Sequence, residues 1–202
     1  MNTRHTLTVL MATLSLSLFA PSAGAEPNDE AKRLMKLRDA ERYEVDSGSA
    51  KAGAARVHVA APVSHVKKTI SDFKNYSKFI SKFDKAKVVG RDGDKTDVYL
   101  QVPILKGAAK IWAVMRFEPI KTVNGEEVLE GHMVKGNVKR MDARWRVKKI
   151  DDDNTQLHLE MTIVPNMPVP GSIVTGQVKY AADEAVMGSR NRTESDWNKK
   201  KK

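Results

Sequence analysis

Side chains able to do chemistry are few and scattered in this chain. Its 202 residues include five histidines, His5, His58, His65, His132 and His158, and no cysteine. No two histidines have the tight helical spacing that lets two imidazoles meet one zinc ion, and without cysteine there is no thiolate ligand, thiol nucleophile or disulfide. Aspartates cluster in Gly90-Arg91-Asp92-Gly93-Asp94 and in Asp151-Asp152-Asp153. Neither cluster has the ligand spacing of a calcium loop, and both read as solvated turns. The G-x-S-x-G elbow, the phosphate-cradling glycine loop and the G-x-G-x-x-G fingerprint are missing. The sequence therefore offers no catalytic set, no metal site and no cofactor motif. Its informative residues are apolar.

The elements that position them follow from periodicity. Residues 1–25 stand apart. Arg4 and His5 give a basic start, Leu7 to Ala20 is apolar but for Ser and Thr, and Ala23-Gly24-Ala25 puts small residues at a cleavage site. This three-part pattern is a secretory signal, short of the roughly 20 apolar residues of a membrane span, with cleavage expected after Ala25. The mature protein is then a soluble periplasmic or secreted one. Residues 26–51 form a charged leader: Glu30 to Val45 has helix-forming composition, and Ser47 to Gly53 reads as a flexible connector.

Arg56-Val57-His58-Val59-Ala60 alternates as a strand does, and Pro62 suits the first position of a helix that carries Val63, Val66, Ile70 and Phe73 on one face. A short helix over Asn75 to Ile80 follows. From Phe83 the period changes to two for about 80 residues, punctuated by Asp92-Gly93, Asn124-Gly125, Lys135-Gly136-Asn137 and Asp151 to Asn154. This predicts an antiparallel meander of six or seven strands. Pro165, Pro168 and Pro170 enforce a loop, and a helix follows over about residues 172–188 with Val174, Val178, Ala181, Ala182, Ala185 and Val186 on one stripe. The folded domain is then 52–190, and 191–202 is expected to be a basic disordered tail.

Alternation also sorts the strands into faces. Leu100, Ile111, Met115 and Phe117 point to one side with Met133, Trp145, Leu159 and Met161. Covered by Val174, Val178 and Ala181 of the last helix, they are the candidate lining of an interior site. Glu130, His132, His158 and Glu160 fall on the opposite, wet face. The apolar face also carries Ala109, Ala113, Gly131 and Ala143. Small residues there either let the helix pack closely or leave a void, and methionine suits both a filled core and an adaptable apolar wall. Composition leaves the two open.

The order of elements resembles the START-like superfamily, the helix-grip group of lipid-transfer domains, birch-pollen-type allergens and polyketide cyclase/dehydrase-like proteins. The resemblance is carried by Val57-His58-Val59-Ala60-Ala61-Pro62, by Phe73-Lys74-Asn75-Tyr76-Ser77-Lys78-Phe79 and by Ala181-Ala182-Asp183, and it covers about residues 52–190. It implies an α+β helix-grip fold: a curved antiparallel sheet wrapped around a long C-terminal helix, with two short helices after the first strand. It implies a cavity for a lipid or other small hydrophobic ligand, used in transport or sequestration. The alternatives it leaves are a cyclase- or hydrolase-type enzyme of the same fold and an interaction module with a packed core.

The net charge is +10, or +9 once Arg4 leaves with the signal. Such a balance favours anionic partners, and export makes nucleic acid the least fitting of them. Arg140, Arg144, Arg146 and Lys148 share one wet strand face, and Lys199 to Lys202 follow Trp197 at the end. The expectation is a monomer able to meet an anionic membrane surface through these charges; the competing reading is a solvated face that only keeps the protein soluble.

Overall fold

The computed structural model describes residues 28–47, 50–104, 109–166 and 171–201. The signal and its cleavage site, the loop prolines Pro168 and Pro170, and Lys202 lie outside them. The first described element is α1 (Asp29–Lys36). Asn28 caps it by accepting a hydrogen bond from the Ala31 amide at 2.8 Å, with Asp29 and Glu30 in its first turn and Arg33 and Lys36 in its last. Both features suit the helix dipole. Next come β1 (Glu41–Ser47), β2 (Ala50–Val59), α2 (Val63–Ile70), a 3-10 turn at Phe73–Asn75 and α3 (Tyr76–Phe79). The meander is β3 (Lys85–Asp92), β4 (Lys95–Ile104), β5 (Ala109–Phe117), β6 (Lys121–Val123), β7 (Glu126–Gly136), β8 (Arg140–Lys149) and β9 (Thr155–Val164), and α4 (Gly171–Lys200) closes the chain.

All strands join one antiparallel sheet in the order β1-β2-β9-β8-β7-β5-β4-β3, with short β6 added beside β7. Asn124 and Gly125, at φ 51 and 79, form the expected turn between β6 and β7. This is the α+β architecture that the resemblance implies. Among the described residues nine strands replace the six or seven expected, because β1 and β6 are added.

The charged leader is not a linker. Its second half is β1, paired with β2 from Glu41↔Arg56 to Ser47↔Ala50. The expected connector includes the start of β2. Gly53 at its end is a glycine because α4 crosses there: a Cβ on it would meet the backbone of Val178 at 2.7 Å. The tail differs likewise, since α4 runs on to Lys200. Pro62 sits one residue earlier than expected, as the N-cap of α2.

The two faces of the sheet are covered by different helices. α4 lies over the concave side of β1, β2 and β9, where Ala182, Ala185 and Val186 pack at 3% exposure or less. α2, the 3-10 turn and α3 cover the rest of the concave side. Phe73 stacks on Phe117 at 4.5 Å, and Tyr76 is ringed by Phe73, Phe79 and Phe83. On the convex side α1 crosses β2 and Glu30 pairs with Arg56. There the wet face is not wet: His158 is 4% exposed, and Ala54, His58 and Gln156 are buried with it. His132, beyond the reach of α1, is exposed as expected.

Candidate ligand-binding site

The candidate lining residues share the concave face, and the structure divides them into two groups. Leu100, Met115, Phe117, Trp145 and Leu159 are buried in one continuous apolar cluster, and Val178 of α4 is buried as well. Ile111, Met133 and Met161 pack on the edge of that cluster but stay half-buried, as do Val174 and Ala181 on α4. Strand register explains the division. Ile111 pairs with Val102 near the end of β4, Met133 pairs with Met115, and Met161 pairs with Gly53 and Ala143. These positions lie toward the end of the sheet where β4 meets β5, β7 meets β8 and β9 meets α4. Ala143 and Ile163 are half-buried beside them. The result is a band of half-buried apolar side chains above a packed floor.

Toward the other end, a cleft of about 410 Å³ opens between the segment after α2 and the β3–β4 hairpin. Phe73, Phe117, Leu129, Ile120 and Val88 provide its apolar side, while Lys74, Arg91 and Asp94 stand at its rim. Its size falls in the range of small-molecule sites. Of the lining residues expected from alternation, only Phe117 faces this cleft.

Alternation did not single out the aromatic wall. Tyr76 is 2% exposed and donates its hydroxyl to the Ile70 carbonyl, and burial holds that phenol well above its usual range. The signal was present as the spacing Phe73, Tyr76, Phe79, which puts three rings along one side of a short helical segment.

The convex face holds the densest polar network. The Tyr43 hydroxyl lies 3.3 Å from Nδ1 of His158, and Arg146 reaches Glu160 at 2.9 Å and Glu126 at 3.1 Å. Burial, then the charges of Arg146, Arg56 and Lys148, push His158 down to about 3. Arg33 lies 2.5 Å from Glu41, which is also bound by Arg56, and this carboxyl is held down to about 2. These contacts clamp β1 and α1 to the sheet.

The expected cationic face is largely neutralised. Arg140 is bound to Asp142, Arg144 reaches Glu130 at 3.3 Å, and Arg146 is held by its two glutamates. Lys148 has no ion pair among the described residues. Lys199 and Lys200 form the last turn of α4, and Lys201 lies 3.6 Å from Asp153. No group of three or more His, Asp or Glu able to hold a metal occurs among the described residues.

Against this geometry the comparisons are direct. The profile of the family described as "Polyketide cyclase / dehydrase and lipid transport" matches residues 59–188, most of the chain, and the protein belongs to that family. Among solved structures, the STAR-related lipid transfer protein from Xanthomonas axonopodis superposes with a TM-score of 0.66 at 14% identity, over 78% of this chain and 94% of that one. The human StarD13 lipid transfer and protein localization domain gives 0.61 at 16% identity, over 80% and 92%. The di-domain ARO/CYC StfQ of the steffimycin biosynthetic pathway gives 0.56 at 12% identity, over 73% and 46%. At these identities the likeness is one of fold. No curated protein matches the chain.

Proposed function

We propose that this chain, after export, holds a lipid or other small hydrophobic ligand on the concave side of its sheet, for transport or sequestration. One observation carries the reading. A fold that buries Met115, Trp145 and Leu159 to 2% exposure or less leaves Ile111, Met133 and Met161 half-buried on the same face. Large apolar side chains in a concave recess are held in that state at a cost of roughly 25 cal/mol per Å² of apolar surface left in water, which an apolar ligand would recover. The family's association with lipid transport supports the same reading, and so do the lipid-transfer proteins of like fold.

Native mass spectrometry of the protein purified from its own host should show a bound apolar species that organic extraction releases. Ala181→Trp, which adds bulk on the buried side of α4, should abolish this species and the accompanying change in Trp145 fluorescence. Retention of the ligand in Ala181→Trp, with loss in Ile120→Trp, would move the site to the 410 Å³ cleft. Chemical turnover of the extracted ligand would favour the enzyme alternative. Export rests on the signal pattern of residues 1–25, and N-terminal sequencing of the mature protein should begin at Glu26.

Loading from an anionic membrane surface belongs to the same reading. With the arginine row paired, Lys148, Lys199 and Lys200 are left to attract it, each contributing about 1 kcal/mol near such a surface. Salt-sensitive sedimentation with anionic but not neutral vesicles supports this; equal indifference to both reduces the charge to a solubility feature.

A further inference from the structure

The last turns of α4 extend past residue 188, where the match to the family ends. They do not cover the sheet; they cross α2. Thr193 Oγ1 lies 2.8 Å from Thr69 Oγ1, both hydroxyls being buried, and Glu194 accepts the Ala60 amide at 2.8 Å. The Trp197 ring rests on His65, 4.5 Å between centroids. These contacts fix the extension beside α2 and enclose a cleft of about 180 Å³. Its walls are His65, Lys68, Thr69 and Asp72 on one side, and Arg192, Thr193, Asp196 and Lys200 on the other.

The charges around this cleft are not balanced. Arg192 is taken by Asp196 at 2.7 Å, while Asp72, bonded at 2.9 and 2.8 Å only to the neutral Asn75 amide, keeps its charge and offsets one of the two remaining lysines. Lys68 and Lys200, one from each helix, have no ion pair among the described residues. The ring nitrogens His65 Nε2 and Trp197 Nε1 are shut away from solvent with no partner among those residues. Two free ammonium groups and an imidazole, backed by Thr69 and Thr193 hydroxyls that are bonded to each other and to the His65 and Ser189 carbonyls, describe a receptor for a compact oxyanion with several acceptor atoms. The volume is ample for a group of phosphate size.

We propose that α2 and the C-terminal extension of α4 form a binding site for a phosphate group, independent of the apolar interior. Burial, Lys200 and Lys68 hold the His65 imidazole below its ordinary range, against the opposing pull of Asp196. An anion seated among these groups reverses the balance and favours the imidazolium, which gives the site a local reporter.

The test follows the C2 proton of His65 by NMR in the full mature chain, titrated with pH in sodium phosphate and in sodium chloride at equal ionic strength. Phosphate should raise the His65 midpoint by about half a pH unit or more, in a saturable manner, while His132 on the far face does not follow. Lys68→Gln combined with Lys200→Gln should abolish the response with an unchanged melting temperature, since both side chains are exposed. A second arm replaces inorganic phosphate with short-chain phosphatidic acid below its micellar concentration. Saturation at an about tenfold lower concentration assigns the site to a lipid headgroup, and the reverse order assigns it to free phosphate. The proposal is overturned if neither phosphate compound moves His65 beyond the chloride control, or if the double variant responds as the unsubstituted protein does.

Discussion

Gly53→Val should lift α4 from the sheet and lower stability by about 3 kcal/mol or more, among the largest losses that overpacking produces. Gly53 lies in β2 directly under the helix, where the nearest atoms to an added Cβ are the backbone nitrogen of Lys179 and the carbonyl carbon of Val178. Backbone inside a helix cannot swing aside as a side chain can, so the whole element must move. Its buried stripe, Val178, Ala182, Ala185 and Val186, would lose its contacts together. For a chain of this size the loss corresponds to a fall in melting temperature on the order of 10 °C. Gly176→Ala is the matched control. It lies on the same helix with nothing within 4 Å of an added Cβ, so it should be neutral or stabilising by up to about 1 kcal/mol. A Gly53→Val protein that melts with the unsubstituted one would mean that the observed packing of α4 on β2 is wrong.

Acidification should weaken the fold well before its carboxylates protonate. His158 is driven down to about 3, mainly by burial. Between that value and the ordinary histidine range, the unfolded chain binds a proton that the folded protein refuses. Stability contributed by neutral, buried His158 is therefore complete above about pH 6.5 and lost as pH falls toward its folded value, at up to about 1.4 kcal/mol per pH unit. Across the whole window this approaches about 4 kcal/mol. Glu41 acts lower down. Held to about 2, chiefly by Arg33, it contributes stability above the ordinary glutamate range that is lost only as pH falls through its folded value. Urea unfolding from pH 7 to 3.5 should show a steady fall in the unsubstituted protein. In His158→Gln the fall down to about pH 4.5 should be much shallower, with the part due to His65 remaining. Equal slopes in the two proteins would remove His158 from the account.

Much of this was legible in the sequence because burial imposes a period. Leu100, Met115, Phe117, Trp145 and Leu159 alternate with polar residues, and all five are at 7% exposure or less. What stayed hidden is structure specified by partners far along the chain. β1 reads Glu41-Arg42-Tyr43-Glu44-Val45, with charges on both faces, and no apolar period marks it. Its partners, Asp183 for Arg42 and Lys179 for Glu44, belong to α4. The end of α4 escaped for a related reason. Ser189, Thr193 and Trp197 recur every four residues against α2, but a stripe begun by two hydroxyls carries no hydrophobic signal. The same logic limits the site: alternation identifies which face is interior, whereas exposure along that face depends on how far the covering helices reach.

The position of β9 between β2 and β8 sets the order in which the molecule can be made. From β3 to β8 the chain forms neighbouring hairpins, each within reach of local closure, and β1 with β2 forms another. No strand pairing joins these two pieces until β9 exists, since β2 pairs only with β1 and β9, bringing Val59 to Thr155 and Gly53 to Met161. Closing a loop of about a hundred residues is slow, and it comes late in synthesis. A nascent chain ending before Thr155 holds two half-sheets whose facing edges have no strand to share. Completion of the sheet is then a late event in which β9 bridges the pieces and α4 seals them, and until that moment the two open edges stay available to any machinery that handles unfolded polypeptide.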